Sequence, residues 1–128
     1  MKEFNLKPGN NQKSFYGKAI VIETETGYKL LKSYETFVCM LDPENKFIRL
    51  WGGYSATTSK HVNSFLNLYG LCGLNKKEWN TLPVPRDYSY GQEIASKVLF
   101  NESVQHLIMQ VDIPGLQNSI KEYRTEVI

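Results

Sequence analysis

His61 closely follows a run of hydroxyl side chains, Tyr54-Ser55-Ala56-Thr57-Thr58-Ser59. A Ser or Thr beside an imidazole is the minimal nucleophile–base pair. That chemistry also needs a group to orient the imidazole, and no Asp or Glu stands at a suitable spacing. The alternative for His61 is a hydrogen bond to the Gly-Gly-Tyr loop before it. The remaining soft or basic candidates are His106, Cys39 and Cys72, and they are dispersed. A zinc site needs close pairs of such residues, so no metal is expected. Cys39, inside FVCML, reads as a small buried hydrophobe. Cys72 lies in a Gly-rich loop, and both cysteines are expected to be reduced in an intracellular protein.

Gly52-Gly53 precedes a helix, an arrangement that suits an anion because the first helical N–H groups are unpaired. The P-loop spacing and its Lys-Ser/Thr are absent, so a nucleotide-binding enzyme is not expected. The Ser/Thr cluster with Lys60 nevertheless suits a backbone phosphate of DNA or RNA. Plain helix capping is the competing reading.

These residues need elements to position them. The polar start, residues 1–13, reads as a flexible arm or extended lead-in. Ser14 to Glu25 alternates with period two and is rich in β-branched and aromatic residues, as a central strand would be. Thr24-Glu25-Thr26-Gly27 is a turn signal. Tyr28 to Leu41 is too long for one strand and divides near Ser33-Tyr34-Glu35. YKLLKS pairs back as a hairpin, and TFVCML is a bent extension or a separate strand. Asp42-Pro43-Glu44-Asn45 is a turn. Lys46 to Trp51 is a further strand, with Ile48 and Leu50 on the expected core face. Phe47, Arg49 and Trp51 form an opposite face that suits stacking if exposed and burial under a helix if not.

A helix from about Thr58 to Tyr69 follows, with Thr57 or Thr58 as its expected cap and Gly70 as its stop. Val62, Phe65, Leu66 and Tyr69 make its apolar stripe, and His61 falls nearer the flank. Asn75-Lys76-Lys77-Glu78 resembles a capping box opening a short helix through about Asn80, with Trp79 packed inward. Leu82-Pro83-Val84-Pro85 closes it. RDYSYG from Arg86 reads as a loop, and Gln92 to Phe100 has helical spacing. Beyond it, Asn101 to Val111 fits a helix, whereas HLIMQVDI also fits a strand. Leu116, Ile120 and Tyr123 suggest a last helix.

The chain has 128 residues, 41% hydrophobic and 22% charged, the balance of one ordinary globular domain. The opening MKEFNLKPGNNQK lacks a signal-peptide core, and no apolar run approaches the roughly 20 residues that span a bilayer. A cytoplasmic protein is expected. The net charge is only +2, but residues 46–79 carry five basic groups, Lys46, Arg49, Lys60, Lys76 and Lys77, against Glu78 alone. This concentration suits an anionic partner.

Four stretches carry a family resemblance: SFYGKA (14–19), SYET (33–36), FIRLWGGYSATTSKHVNSF (47–65) and KKEWNTLPV (76–84). Over residues 14–84 the chain resembles small uncharacterised proteins carried by phages and mobile elements of Gram-positive bacteria. The resemblance implies a mobile-element origin and no particular activity. Such elements carry many small proteins that bind nucleic acid or block host defences, anti-CRISPR proteins included.

The expected fold is α+β, an antiparallel three- to four-stranded sheet packed on one amphipathic helix with additional C-terminal helices. It forms a single domain: an arm (1–13), a sheet-plus-helix core (14–84) and a helical extension (85–128). The expected function is non-enzymatic binding of a host macromolecule, foremost a host defence protein or its nucleic-acid complex, which the protein would inhibit. A nucleic-acid-binding accessory role is the alternative. Arg49, Trp51, Tyr54, Thr57, Thr58, Lys60, His61, Lys76 and Lys77 are the candidate contact residues. No cofactor, metal or membrane is expected. An enzyme built around His61, Ser55 and Cys72 is the remaining class.

Overall fold

The computed structural model describes residues 1–7, 17–71, 73–82, 84–85 and 87–101. The readings placed on Ser14–Tyr16, Cys72, Arg86 and the segment beyond Asn101 lie outside the described residues.

Among the described residues five strands form one open antiparallel sheet in chain order: β1 (Lys2–Asn5), β2 (Ala19–Glu23), β3 (Lys29–Ser33), β4 (Thr36–Leu41) and β5 (Phe47–Arg49). The fold is α+β as expected, with one strand more than the sequence suggested. That strand is β1, from the stretch read as an arm. Phe4 pairs with Val21, and Leu6 is buried with its N–H on the Ala19 carbonyl at 2.9 Å. The alternation of Phe4 and Leu6 within a polar stretch is its one sequence signal. The long apolar run divides where expected: Ser33 pairs with Thr36 across Tyr34-Glu35, and TFVCML is a separate strand.

The helices settle how the faces of the sheet are covered. The sheet was expected to pack on one amphipathic helix, with additional C-terminal helices of unstated placement; the helices cover both faces. Ala19, Val21, Leu31, Cys39, Leu41 and Phe47 pack under Val62, Phe65 and Leu66 of α1 (Ala56–Leu68) and under Trp79 of α2 (Lys76–Thr81). Ile22, Leu30, Met40, Ile48 and Leu50 pack under Ile94, Ala95 and Val98 of α3 (Tyr88–Leu99). Each large apolar side chain so buried contributes about 1.5–3 kcal/mol before entropy is counted.

The helix ends follow local chemistry. Ser55, rather than Thr57 or Thr58, caps α1, its Oγ accepting from Thr58 N at 3.1 Å. Gly70, at φ 74°, ends α1 with Leu71 N bonded to the Leu66 carbonyl and Gly70 N to the Asn67 carbonyl. The capping box at α2 is present: Glu78 N donates to Asn75 Oδ1 at 2.8 Å, and Asn75 N to Glu78 Oε1 at 2.9 Å. α3 begins at Tyr88, inside the stretch read as a loop. Asp87 caps it, Oδ1 accepting from Tyr90 N at 2.8 Å. Gly91 within it lies so close to β5 that a Cβ would strike the Leu50 carbonyl oxygen. No helix among the described residues is long and apolar enough to cross a membrane.

Candidate functional site

Arg49 leaves β5 on the face covered by α1 and α2, and is 5% exposed. Its guanidinium has no carboxylate partner among the described residues. Instead Nε donates to the Trp51 carbonyl (2.9 Å), Nη2 to that of Gly52 (2.8 Å), and Nη1 to those of Trp79 (2.8 Å) and Leu82 (3.4 Å). The cation also lies 4.6 Å from the Trp79 ring centroid. Burial pulls the guanidinium below its ordinary pKa. A planar fork of donors can satisfy several fixed carbonyls at once, which a lysine amine cannot. Arg49 therefore fastens the β5 exit to the end of α2.

Gly52 and Gly53 take part in the same knot. The Gly53 carbonyl accepts from Trp79 Nε1 at 2.9 Å, and a Cβ on Gly53 would enter the Trp51 ring. Trp51 is half-buried against the core beneath α1 and α2. The Gly-Gly pair thus lets the chain fold tightly over an indole and presents two carbonyls inward. Its role is that of a fastening rather than a phosphate cradle. The mixed face of Phe47, Arg49 and Trp51 does not form an exposed stacking surface.

His61 is likewise interior, 1% exposed. Its Nδ1 lies 2.8 Å from Ser33 Oγ, a residue of β3 that sequence spacing could not connect to it. The Tyr34 ring tilts over it with centroids 6.0 Å apart. Burial first, and the Lys18 charge second, push the imidazole pKa below its ordinary value. The pair joins sheet to helix. The hydroxyls expected near His61 are engaged elsewhere: Ser55 and Thr58 hydrogen-bond each other at 3.0 Å within the cap, and Thr58 is buried. Cys39 is fully buried and its thiol pKa pushed well up, which makes it a poor nucleophile. Among the described residues no group of three or more His, Cys, Asp or Glu could hold a metal ion.

The remaining candidates lie on one surface. Thr57, Lys60, Lys76 and Lys77 are exposed, and Tyr54 is half-buried. Tyr54 precedes the α1 cap, its hydroxyl donating to Ser59 Oγ at 3.2 Å, with Lys76 Nζ 5.8 Å from its ring centroid. An open groove runs beside it, lined by Tyr54, Ser59, Asn63, Leu74, Asn75 and Glu78. A narrow apolar crevice adjoins it, where Tyr54, Val62, Leu74 and Trp79 meet. Asn63 shapes the groove by accepting from Leu74 N at 2.8 Å, and Gly73 lies against the Asn63 amide, where a Cβ would collide. Asn63, Leu74 and Asn75 were not among the expected site residues. The hydrogen bond between Asn63 and Leu74 ties α1 to the loop before α2.

The chain belongs to a family of unknown function, DUF8033, whose model matches residues 4–81. The match begins in β1 and ends at the last residue of α2, so it takes in most of the sheet, the Arg49 knot but for Leu82, the Ser33–His61 pair and the groove, and stops before α3. No curated protein and no solved structure matches the chain.

Proposed function

We propose that the protein is non-enzymatic and acts by binding a macromolecule of its host, and that its target is a host defence protein which it inhibits in the manner of an anti-CRISPR protein. On this reading it is encoded by a phage or mobile element and works in the bacterial cytoplasm. The observation that carries the reading is how its reactive side chains are used. Arg49, His61, Ser33 and Cys39 are buried and engaged in the fold, while the surface around the groove offers three lysines and a tyrosine. Such a surface is suited to recognition rather than to bond making.

The lysines also favour a second reading, a nucleic-acid-binding accessory protein. Among the described residues no ion pair reaches Lys60, Lys76 or Lys77, which leaves their charge to an anionic partner. The interior position of Arg49 and the partial burial of Trp51 remove two of the groups that reading relied on.

The test is functional. The protein, expressed in a Gram-positive host with an active CRISPR or other defence system, should restore plating of a phage that the system excludes, and the purified effector should form a stable complex with it. Absence of restored plating and of complex formation across the host's defence systems would contradict the proposal. A gel shift with DNA or RNA at low salt that weakens steeply as salt rises would support the second reading instead.

A further inference from the structure

We infer that β1 is a self-pairing edge: a second copy of this chain adds antiparallel to it about a two-fold axis, and the two sheets become one. The inference goes beyond the binding reading above and does not rest on it.

β1 is the outermost strand, and among the described residues nothing pairs with its free side. The ladder fixes which backbone groups lie there. Leu6 N donates to the Ala19 carbonyl, and Phe4 and Lys2 alternate with it opposite Val21 and Glu23. In an antiparallel pair the residues between these turn their N–H and carbonyl groups the other way. The backbone groups of Glu3 and Asn5 therefore face outward, and continued extension brings Lys7 to the same side. They form an open template for a further strand. An apolar pocket of about 240 Å³ lies at this edge, lined by Phe4, Asn5, Leu6, Lys7 and Leu68. Leu68, on α1, is 49% exposed there.

Charge selects a second copy as the occupant. Outward-facing residues must meet outward-facing residues, so a two-fold pairing within β1 is centred on Glu3, Phe4 or Asn5. The first sets Glu3 against Glu3, a like-charge contact that destabilises. The second sets Glu3 against Asn5 and Lys7 against Met1, which joins no opposite charges. The third sets Glu3 of each copy against Lys7 of the other. It also sets Phe4 against Leu6 at the non-hydrogen-bonded position, where side chains come closest, beside the pocket of each copy. Glu3 and Lys7 are both exposed, and no ion pair engages either among the described residues. The segment Glu3-Phe4-Asn5-Leu6-Lys7 is thus its own complement in charge and in apolar content, as an isologous contact requires. The contact is small, so the dimer is expected to be weak, in the micromolar range.

The test is sedimentation equilibrium of the full chain over a micromolar concentration series. A monomer–dimer equilibrium is expected. Glu3→Lys and Lys7→Glu, each of which sets like charges opposite one another, should weaken it at least about tenfold. Both changes in one chain should restore it, and a mixture of the two single variants should dimerise at least about tenfold better than either alone. All three variants should keep the wild-type far-ultraviolet circular dichroism, since both positions are exposed. If a variant loses it, hydrogen exchange of the wild type decides: the Glu3 and Asn5 amides should be protected at high concentration and exposed on dilution. A chain that stays monomeric, a dimer indifferent to the single reversals, a double variant as weak as the single ones, or exchange at those amides independent of concentration would overturn the inference.

Discussion

On one face of the sheet, α1 and α2 are fastened by buried polar groups. Arg49 reaches four carbonyls, Trp79 reaches a fifth, and Ser33 meets His61 beneath the helix. On the other face, α3 is fastened by close approach. Gly91 brings the helix against the Leu50 carbonyl, apolar side chains fill the layer, and Gln92 bonds both the N–H and the carbonyl of Phe37 at 2.9 Å. The family match covers the first face and ends before α3. The contrast shows how structure can imitate a functional motif. Buried polar ties demand particular residue types at particular positions, so RLWGG and the Trp79 of KKEW read as signatures although their chemistry is internal. Close packing demands only small or apolar residues and leaves no such signature.

The contrast can be broken at either face. The largest effect is expected at Arg49. Arg49→Ala strands several buried carbonyls and should lower the urea unfolding free energy by about 4 kcal/mol. Arg49→Lys should recover only part of that, since one amine cannot reproduce the fork. A variant near wild-type stability would mean that the knot is incidental.

On the α3 face, Gly91→Ala should gain about 1 kcal/mol in helix propensity and lose more by collision with a backbone oxygen, a net loss of about 2 kcal/mol. A stabilised variant would show that α3 can stand further from the sheet. At the α1 cap, Ser55→Ala should cost about 1 kcal/mol in the same assay, and Thr57→Ala should cost little.

The smallest effect at neutral pH belongs to His61. Its folded pKa is depressed below the ordinary 6.5 because burial and Lys18 disfavour the imidazolium. The unfolded chain therefore binds the extra proton first as pH falls. The stability associated with neutral His61 is fully present above pH 6.5 and is lost as pH drops toward the folded value. Unfolding free energy measured against pH should decline below that point in the wild type and decline less in His61→Leu. Parallel curves would remove His61 as the source.

Much of the fold was legible because local signals agreed with it. Alternation marked β2, the Asp42-Pro43 turn separated β4 from β5, and the stripe through Val62, Phe65 and Leu66 marked α1. The capping box at Asn75 and the stop at Gly70 were readable for the same reason. The β1 strand was obscured by its polar residues, since an edge strand carries little apolar pattern. The start of α3 was obscured because Tyr88-Ser89-Tyr90-Gly91 combines weak helix formers with a glycine needed for packing. For the candidate site, Tyr54, Lys60, Lys76 and Lys77 were singled out by charge and position, and the structure places the three lysines at the surface with Tyr54 half-buried. Arg49 and His61 were also singled out, but whether a polar side chain serves the surface or the interior depends on contacts far apart in sequence. The bond from Ser33 to His61 spans 28 positions, and that from Arg49 to Trp79 spans 30.

The central claim, that the interior chemistry serves the fold while the exposed face serves the partner, is tested most directly by one variant. Lys60→Glu, Lys76→Glu and Lys77→Glu together alter exposed positions, two of them in the first turn of α2, where acidic groups are tolerated. The unfolding free energy should stay within about 0.5 kcal/mol of wild type. Restoration of phage plating in the defended host should be lost. Full restoration by this folded variant would contradict the account.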